Sequence, residues 1–298
     1  MRYVRDLAAG QVCQIIVIDI STGESRVVHE TSQMLFEAPN WTADNDLMLN
    51  GDGRLWRLTP EPGAVPELIP LEGIPDLNND HVLSPKTGEI FLSANDWQIY
   101  AASTAGGAVR RITPPDGGRM HFLHGVSPDA TTLTYTGIQP GADGTWGHGT
   151  VYTVAVDGTG TRQLTSDTWS SDGSEYSPDG EWIYLNTEAF SNEPGHAQIA
   201  RLRVDGSGAL EQLTFDERVN WFPHHSPDGR GIVYLSYPAG TVGHPADQFV
   251  ELRLVRDGDW SSPRTLVELF GGQGTINVNS WASDNRNLAY VAYPFRDI

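Results

Sequence analysis

Two histidines stand at the same distance from a turn. His81 lies three residues before Ser84-Pro85, and His124 three residues before Ser127-Pro128. His225 and Glu175 stand near that level before Ser226-Pro227 and Ser177-Pro178. If the turns belong to equivalent elements set around one axis, imidazoles and carboxylates from distant parts of the chain face one another. A His/carboxylate metal site needs that arrangement. His81, His124, His224 and His225 are the expected ligands of one divalent cation (Ca, Mn or Zn), with Glu175 beside them. A plainer reading stands next to each. His225 occupies the position of Trp41, Leu83, Val126, Tyr176 and Trp281 in other copies, which suits packing between sheets. His224 is offset by one residue and should face the opposite way. His81 and His124 stand where Pro39 and Pro223 stand elsewhere, and Glu175 replaces a neutral residue at a hairpin rim.

Other polar side chains fall on the same stretches. Asp172, Glu175, Asn220, Asn277 and Asn279, with Asn79, Asp80 and His121, are expected to border the axis and meet a ligand there. A second group lies on long connections at 137–149, 187–198 and 236–248, which carry Gly147-His148, Gly195-His196 and Gly243-His244. Long loops in a compact domain are usually functional. His148, His196 and His244 are therefore ligand-contact candidates, with Trp146 as an aromatic platform. The plain alternative is that each Gly-His pair only shapes the return into the next strand. Arg119 and Arg218 precede two of the axial stretches and are candidates for a base or for a clamp on an anionic group.

Several chemistries lack their signatures. No Gly-x-Ser-x-Gly elbow is present, and His29-Glu30 has no second zincin histidine. Walker, dinucleotide and EF-hand patterns are missing from any credible context. Cys13 is the only cysteine, so no internal disulfide forms, and it reads as a buried filler. The net charge of −19 gives no basic footprint for nucleic acid. It also disfavours polyanionic substrates. No apolar run is long enough to span a bilayer, so membrane insertion is not expected. The first residues, Met1 to Asp6, lack the features of a secretory signal. As written the chain is expected in the cytoplasm, or in the periplasm if a leader is missing from the sequence.

Strands must position these residues. Ser-Pro-Asp-Gly in 177–180 and 226–229 separates two extended runs. Pro presets φ, Asp bonds the local backbone, and Gly accepts positive φ. Asp129, Asp179 and Asp228 therefore read as turn formers. The turn recurs at Asp44, Lys86, Asp129, Asp179, Asp228 and Asp284, at intervals of about 40 to 56 residues, near the period of a four-stranded propeller blade. A third strand, a polar turn such as Val156-Asp157-Gly158, and a fourth strand such as Gln163-Leu164-Thr165 follow each hairpin. The chain ends supply complementary parts. Residues 14–28 give a third and fourth strand without a hairpin, and 277–293 give a hairpin without a sequel. The expected fold is one all-β domain, a six-bladed β-propeller with blades at 36–70, 71–115, 116–166, 167–215, 216–270, and 271–298 with 1–35. The last blade, made from both termini, closes the ring.

The Ser-Pro-Asp-Gly hairpins, the aromatic before them, the Ile/Val-Tyr after them and the Leu-Thr ends of the fourth strands resemble the repeats of TolB-type six-bladed propellers, also called WD40-like or PD40 repeats. That resemblance covers nearly the whole chain. It implies a propeller that binds a small ligand, a cation or a protein partner at its axial channel. The His-x-x-Ser-Pro motifs at His81 and His124 are more weakly similar to oligogalacturonate-lyase-like propellers. That likeness implies a metal-assisted β-elimination on an oligosaccharide, with His81, His124 and His225 near the metal and Arg218 or Arg119 as base or clamp. The first reading makes the chain a binding protein and the second an enzyme.

Overall fold

The structure, a computed structural model, describes residues 5–114 and 117–296. The extreme ends of the expected sixth blade therefore lie outside the described residues. Among those described there is no helix, and the strands fall into six blade sheets. Blade 1 holds Phe36–Trp41, Leu47–Gly51, Arg54–Leu58 and Glu67–Leu68. Blades 2 to 5 begin with inner strands Leu77–Leu83, Met120–Val126, Ser171–Tyr176 and Val219–His225. Each continues outward through three antiparallel partners. The outermost strands of blades 1 to 4 are two residues long, whereas that of blade 5 is Arg264–Gly272. Very short edges leave few unpaired backbone groups for another chain to join. A parallel pair, Leu71–Glu72 with Gly107–Ala108, adds a small sheet that the repeat pattern does not announce.

The ring closes as the sequence implies. Cys13–Asp19 pairs antiparallel with Asn287–Ala292 on one side, with Ile16 opposite Tyr290, and with Ser25–Thr31 on the other. Ile15, Val17, Ala289 and Val291 pack on Leu47 and Leu49 of blade 1. Ile16, Ile18 and Leu288 pack on Val233 and Leu252 of blade 5. Each such side chain contributes about 1.5–3 kcal/mol when fully buried, so the seam between the termini is a core. Cys13 is fully buried there, and burial pushes its thiol up to about 12. The innermost segment of this blade departs from expectation. Among the described residues it keeps one bridge, Trp281 to Leu288, and scattered bonds such as Val291 N–H to the Thr275 carbonyl, while Asn277 accepts from Gly274 N–H and Asn279 from Trp281 N–H. Local side-chain bonds of this kind compete with the ladder.

The turns behave as their chemistry requires. Ser127, Ser177 and Ser226 hydroxyls donate to Asp129, Asp179 and Asp228 at 2.6, 2.5 and 2.6 Å. Gly180 and Gly229 both take φ of 72°.

A further feature sits at mid-strand. The ladder register slips in the inner strand of every blade from 1 to 5, between Glu37 and Asn40, Leu77 and His81, Leu123 and Gly125, Asp172 and Glu175, and Trp221 and His224. Ala38, Gly173 and Phe222 take positive φ at three of these bulges (54°, 60° and 55°). A bulge inserts a residue and re-aims its neighbours. Five of them at one level decide which side chains reach the axis.

Candidate functional site

Two cavities open on the channel from opposite ends. One lies among the connections between second and third strands and has a volume of about 450 Å³. The other lies among the Ser-Pro turns, at about 540 Å³. His124 borders both and so marks the waist of the channel. The loop-side cavity falls within the ~300–1,000 Å³ of small-ligand sites.

All three long loops border it. Trp146 comes from 137–149, Glu188 from 187–198, and His244 from 236–248. Trp97, Phe122 and Trp146 pack on one another with centroids 5.7 to 6.1 Å apart. Trp221, Phe222 and His244 form a second aromatic group, with His244 4.4 Å from the Trp221 ring and 5.2 Å from Phe222. Phe222 is a bulky residue at φ 55°. Such a conformation costs on the order of 1–3 kcal/mol and persists only when its surroundings enforce it. Asn78, Asn79, Asn95, Gln273 and Asn277 supply carboxamides, and Asp80 and Asp172 supply carboxylates. No lysine or arginine is among the described lining residues.

The polar groups of this cavity are incompletely paired. Asn78 Nδ2, both amide atoms of Asn95, Trp221 Nε1 and His124 Nδ1 are buried and have no hydrogen-bond partner among the described residues. Leaving a buried donor or acceptor unpaired costs about 1–3 kcal/mol each, so these five atoms call for a partner, either an ordered water or a ligand group.

Charge is distributed unevenly. His124 Nε2 lies 2.7 Å from Asp172 Oδ1, at ion-pair distance but off the line of a regular hydrogen bond. Burial works against the charge on each, and their mutual attraction overrides it. His124 is raised above the usual imidazole range and Asp172 held at about 2. Asp80 has no such partner. Burial pushes it up to about 7, aided by the Asp172 charge and opposed by His124. His244 is lowered, first by burial.

The comparisons with known proteins agree with this architecture. No family model matches the chain. An uncharacterized protein of Agrobacterium fabrum, Atu1656, is 38% identical over 285 residues, covering 94% of this chain and 92% of that one. A solved structure from Agrobacterium tumefaciens, provisionally assigned as TolB, is 37% identical, with a TM-score of 0.84 over 95% of this chain and 99% of that chain. The chain belongs to the TolB-like family of six-bladed propellers. Oligogalacturonate lyases share the fold more distantly. One in complex with manganese matches at 14% identity and a TM-score of 0.53, over 86% of this chain and 67% of that one. Another, from Vibrio parahaemolyticus, matches at 13% and 0.52, over 97% and 98%.

Within this TolB-like propeller the expected site residues scatter. Among the described residues, no three His, Cys, Asp or Glu side chains form a group that could hold a metal ion. His81 is buried against the Met48 backbone of blade 1, and burial lowers it to about 4. His124 pairs with Asp172. His224 belongs to a different node, with Nδ1 2.6 Å from a Glu175 oxygen and Nε2 2.7 Å from the Ile276 carbonyl. His225 stands edge-on to Tyr184 at 4.3 Å and borders the turn-side cavity. Glu175 is a buried hub rather than a rim residue. It also accepts from His225 N–H at 2.9 Å and Asn279 Nδ2 at 2.8 Å. Burial opposes its ionisation, but these partners hold it at about 2.

The remaining candidates divide clearly. Asp172, Asn277 and His244 border the loop-side cavity, as do Asn79 and Asp80. His148 is exposed and outside it. His196 is tied to Ser191 at 2.8 Å and to the Asp216 carbonyl at 3.0 Å, so it shapes its loop. Asn220 is wholly buried and bonds Asp216 and Ser236. Neither arginine lines either channel cavity. Arg218 pairs with Glu251 at 3.0 Å and donates to Ser236, and Arg119 lies 4.4 Å over the Tyr152 ring. Residues that sequence reasoning missed are Asn78, Asn95, Trp97, Trp221, Phe222 and Gln273. Asn220-Trp221-Phe222, a polar residue beside two aromatics on an inner strand, was the available signal for two of them; Asn95 and Trp97, on the connection between the second and third strands of blade 2, carried none.

Proposed function

We propose that this TolB-like propeller is a binding protein whose loop-side cavity captures a small, non-anionic ligand. One observation carries the reading. The cavity sits on the axis, has aromatic walls, keeps buried polar atoms without partners, and contains carboxyl groups but no lysine or arginine among its described lining residues, its one raised imidazole, His124, being already held by Asp172. An anionic ligand would meet Asp80 and Asp172 with no guanidinium or ammonium to offset the repulsion.

The elimination chemistry suggested by the lyase-like motifs has less support. Manganese belongs to the distant neighbour, and the likeness there is of fold alone. His81, His124 and the His224–His225 pair at Glu175 occupy three separate environments, and the arginines are engaged elsewhere.

Thermal denaturation against a library of small cationic, neutral and anionic metabolites tests the reading. A ligand present at 100 times its Kd stabilises the fold by about 2.7 kcal/mol. The expected result is a Tm rise with cationic or neutral compounds that EDTA does not abolish and that His244→Ala reduces. Stabilisation by anions alone, or by nothing in the library, would refute it.

A further inference from the structure

We propose that the ligand of the loop-side cavity is a neutral, polyhydroxylated molecule of the saccharide class. This rests on the reading that the cavity binds a ligand, and it narrows the chemistry by elimination. Three of the five unpartnered atoms, Asn78 Nδ2, Asn95 Nδ2 and Trp221 Nε1, are N–H donors, and Asn95 Oδ1 is an acceptor. His124 has one nitrogen beside Asp172 and the other unpartnered. An ammonium ligand carries donors only, so it would leave the facing amide and indole N–H groups unsatisfied. An apolar ligand would leave every one of these atoms unpaired. An anionic sugar would approach the Asp172 carboxylate and the Asp80 carboxyl with no lysine or arginine in the described lining, and the His124 imidazole is already paired with Asp172. A hydroxyl group both gives and accepts. It serves the indole and amide N–H groups through its lone pairs and serves Asp80 and Asn95 Oδ1 through its proton.

The walls agree with the polar groups. A sugar ring has an apolar face of C–H groups, and the Trp97–Phe122–Trp146 and Trp221–Phe222 groups give it flat apolar surfaces on two sides of the cavity. Trp146 is 57% exposed on its long loop, so its ring stands at the entrance and not in the sealed core.

Isothermal titration calorimetry on the full chain decides the matter. The probes are glucose, galactose, mannose and xylose, their common disaccharides, and for each ring type the matching uronate and amino sugar. At least one neutral sugar should bind, with its uronate at least about tenfold weaker (~1.4 kcal/mol) and its amino sugar no tighter. Asn95→Leu, at a half-buried position, should weaken binding about tenfold. Trp146→Ala, on an exposed loop, should do the same without changing the melting temperature. Tighter binding of the amino sugar or the uronate would overturn the saccharide assignment. So would binding that survives both substitutions. If library compounds bind the cavity but no neutral sugar does, the assignment falls and the binding role stands. If nothing binds there, both fall.

Discussion

Two acid–imidazole clusters take their carboxylates from the inner strand of blade 4 and have opposite characters. Glu175 is closed. Its oxygens meet His224 Nδ1, His225 N–H and Asn279 Nδ2, and His224 spends its other nitrogen on the Ile276 carbonyl. The node ties blades 4, 5 and 6 together. Asp172 and His124 are open. They join blades 3 and 4 by one ion-pair contact, and His124 Nδ1 has no partner among the described residues. Residue type does not separate the two clusters; degree of satisfaction does. Glu175 and His224 have every polar atom engaged, with only His225 Nδ1 at the node's edge lacking a hydrogen bond among the described residues; a carboxylate so satisfied holds structure, and a less satisfied pair beside the loop-side cavity is a place for something else to bind.

The largest expected effect comes from breaking the closed node. Glu175→Ala leaves a buried imidazole and Asn279 without their acceptor, and should cost about 3–5 kcal/mol in denaturant unfolding. If the loss is under 1 kcal/mol, the brace is not structural. Ligand affinity at the loop-side cavity should change far less than stability. Asn95→Leu should show the reverse, with affinity lost and stability kept.

The pH dependence should differ between the clusters. Glu175 and Asp172 are depressed to about 2 in the fold, so each stabilises it above the unfolded carboxylate range, and that support is lost as pH falls through about 2. Asp80 and Glu37 are raised to about 7 by burial. From about pH 4 to 7 the folded chain holds protons there that the unfolded chain has released. Stability contributed by these two groups therefore falls as pH rises across that window. His81, lowered to about 4, acts oppositely: as pH falls below the usual imidazole range the unfolded chain takes up that proton first, so this group's contribution to stability drops toward acid. Comparing Asp80→Asn with the parent isolates one group. The substitution should remove a downward slope approaching 1.4 kcal/mol per pH unit between pH 4 and 7. Parallel stability curves for the two proteins would contradict the raised Asp80.

A smaller effect should follow at the bulge. A Cβ on Gly173 would lie 2.5 Å from Asn186 Oδ1 and 2.9 Å from Phe222 Cδ1, at φ 60°. Gly173→Ala should cost about 1–3 kcal/mol and weaken binding as well, because Asp172 is the preceding residue. Unchanged binding would detach the bulge from the site. The smallest effect belongs to His148→Ala, which should stay within about 0.5 kcal/mol and leave affinity unaltered. His244→Ala, at the neighbouring Gly-His pair, should weaken binding.

Much of the fold was legible. Ser-Pro-Asp-Gly turns form through contacts within four residues, so they show in a single copy. Their spacing and the complementary halves at 14–28 and 277–293 implied the ring and its closure. The site was legible only in part. The long loops did converge on one cavity, and His244, Asp172 and Asn277 border it. The proposed meeting of His81, His124, His224 and His225 did not occur.

The sequence by itself determined the local elements: strand alternation, turn chemistry, repeat period and the complementary ends. Each depends on residues near one another in the chain, where the backbone responds directly to Pro, Gly and Asp. Only the tertiary structure decided which side chains reach the axis. His81 and His124 hold the same repeat position, yet one faces the Met48 backbone and the other faces Asp172. The neighbouring blade sets that choice, and register slips at five inner strands rotate the neighbouring side chains before they meet it. A pairing between residues 48 positions apart, such as Asp172 with His124, depends on packing between blades and leaves no periodic mark in the chain.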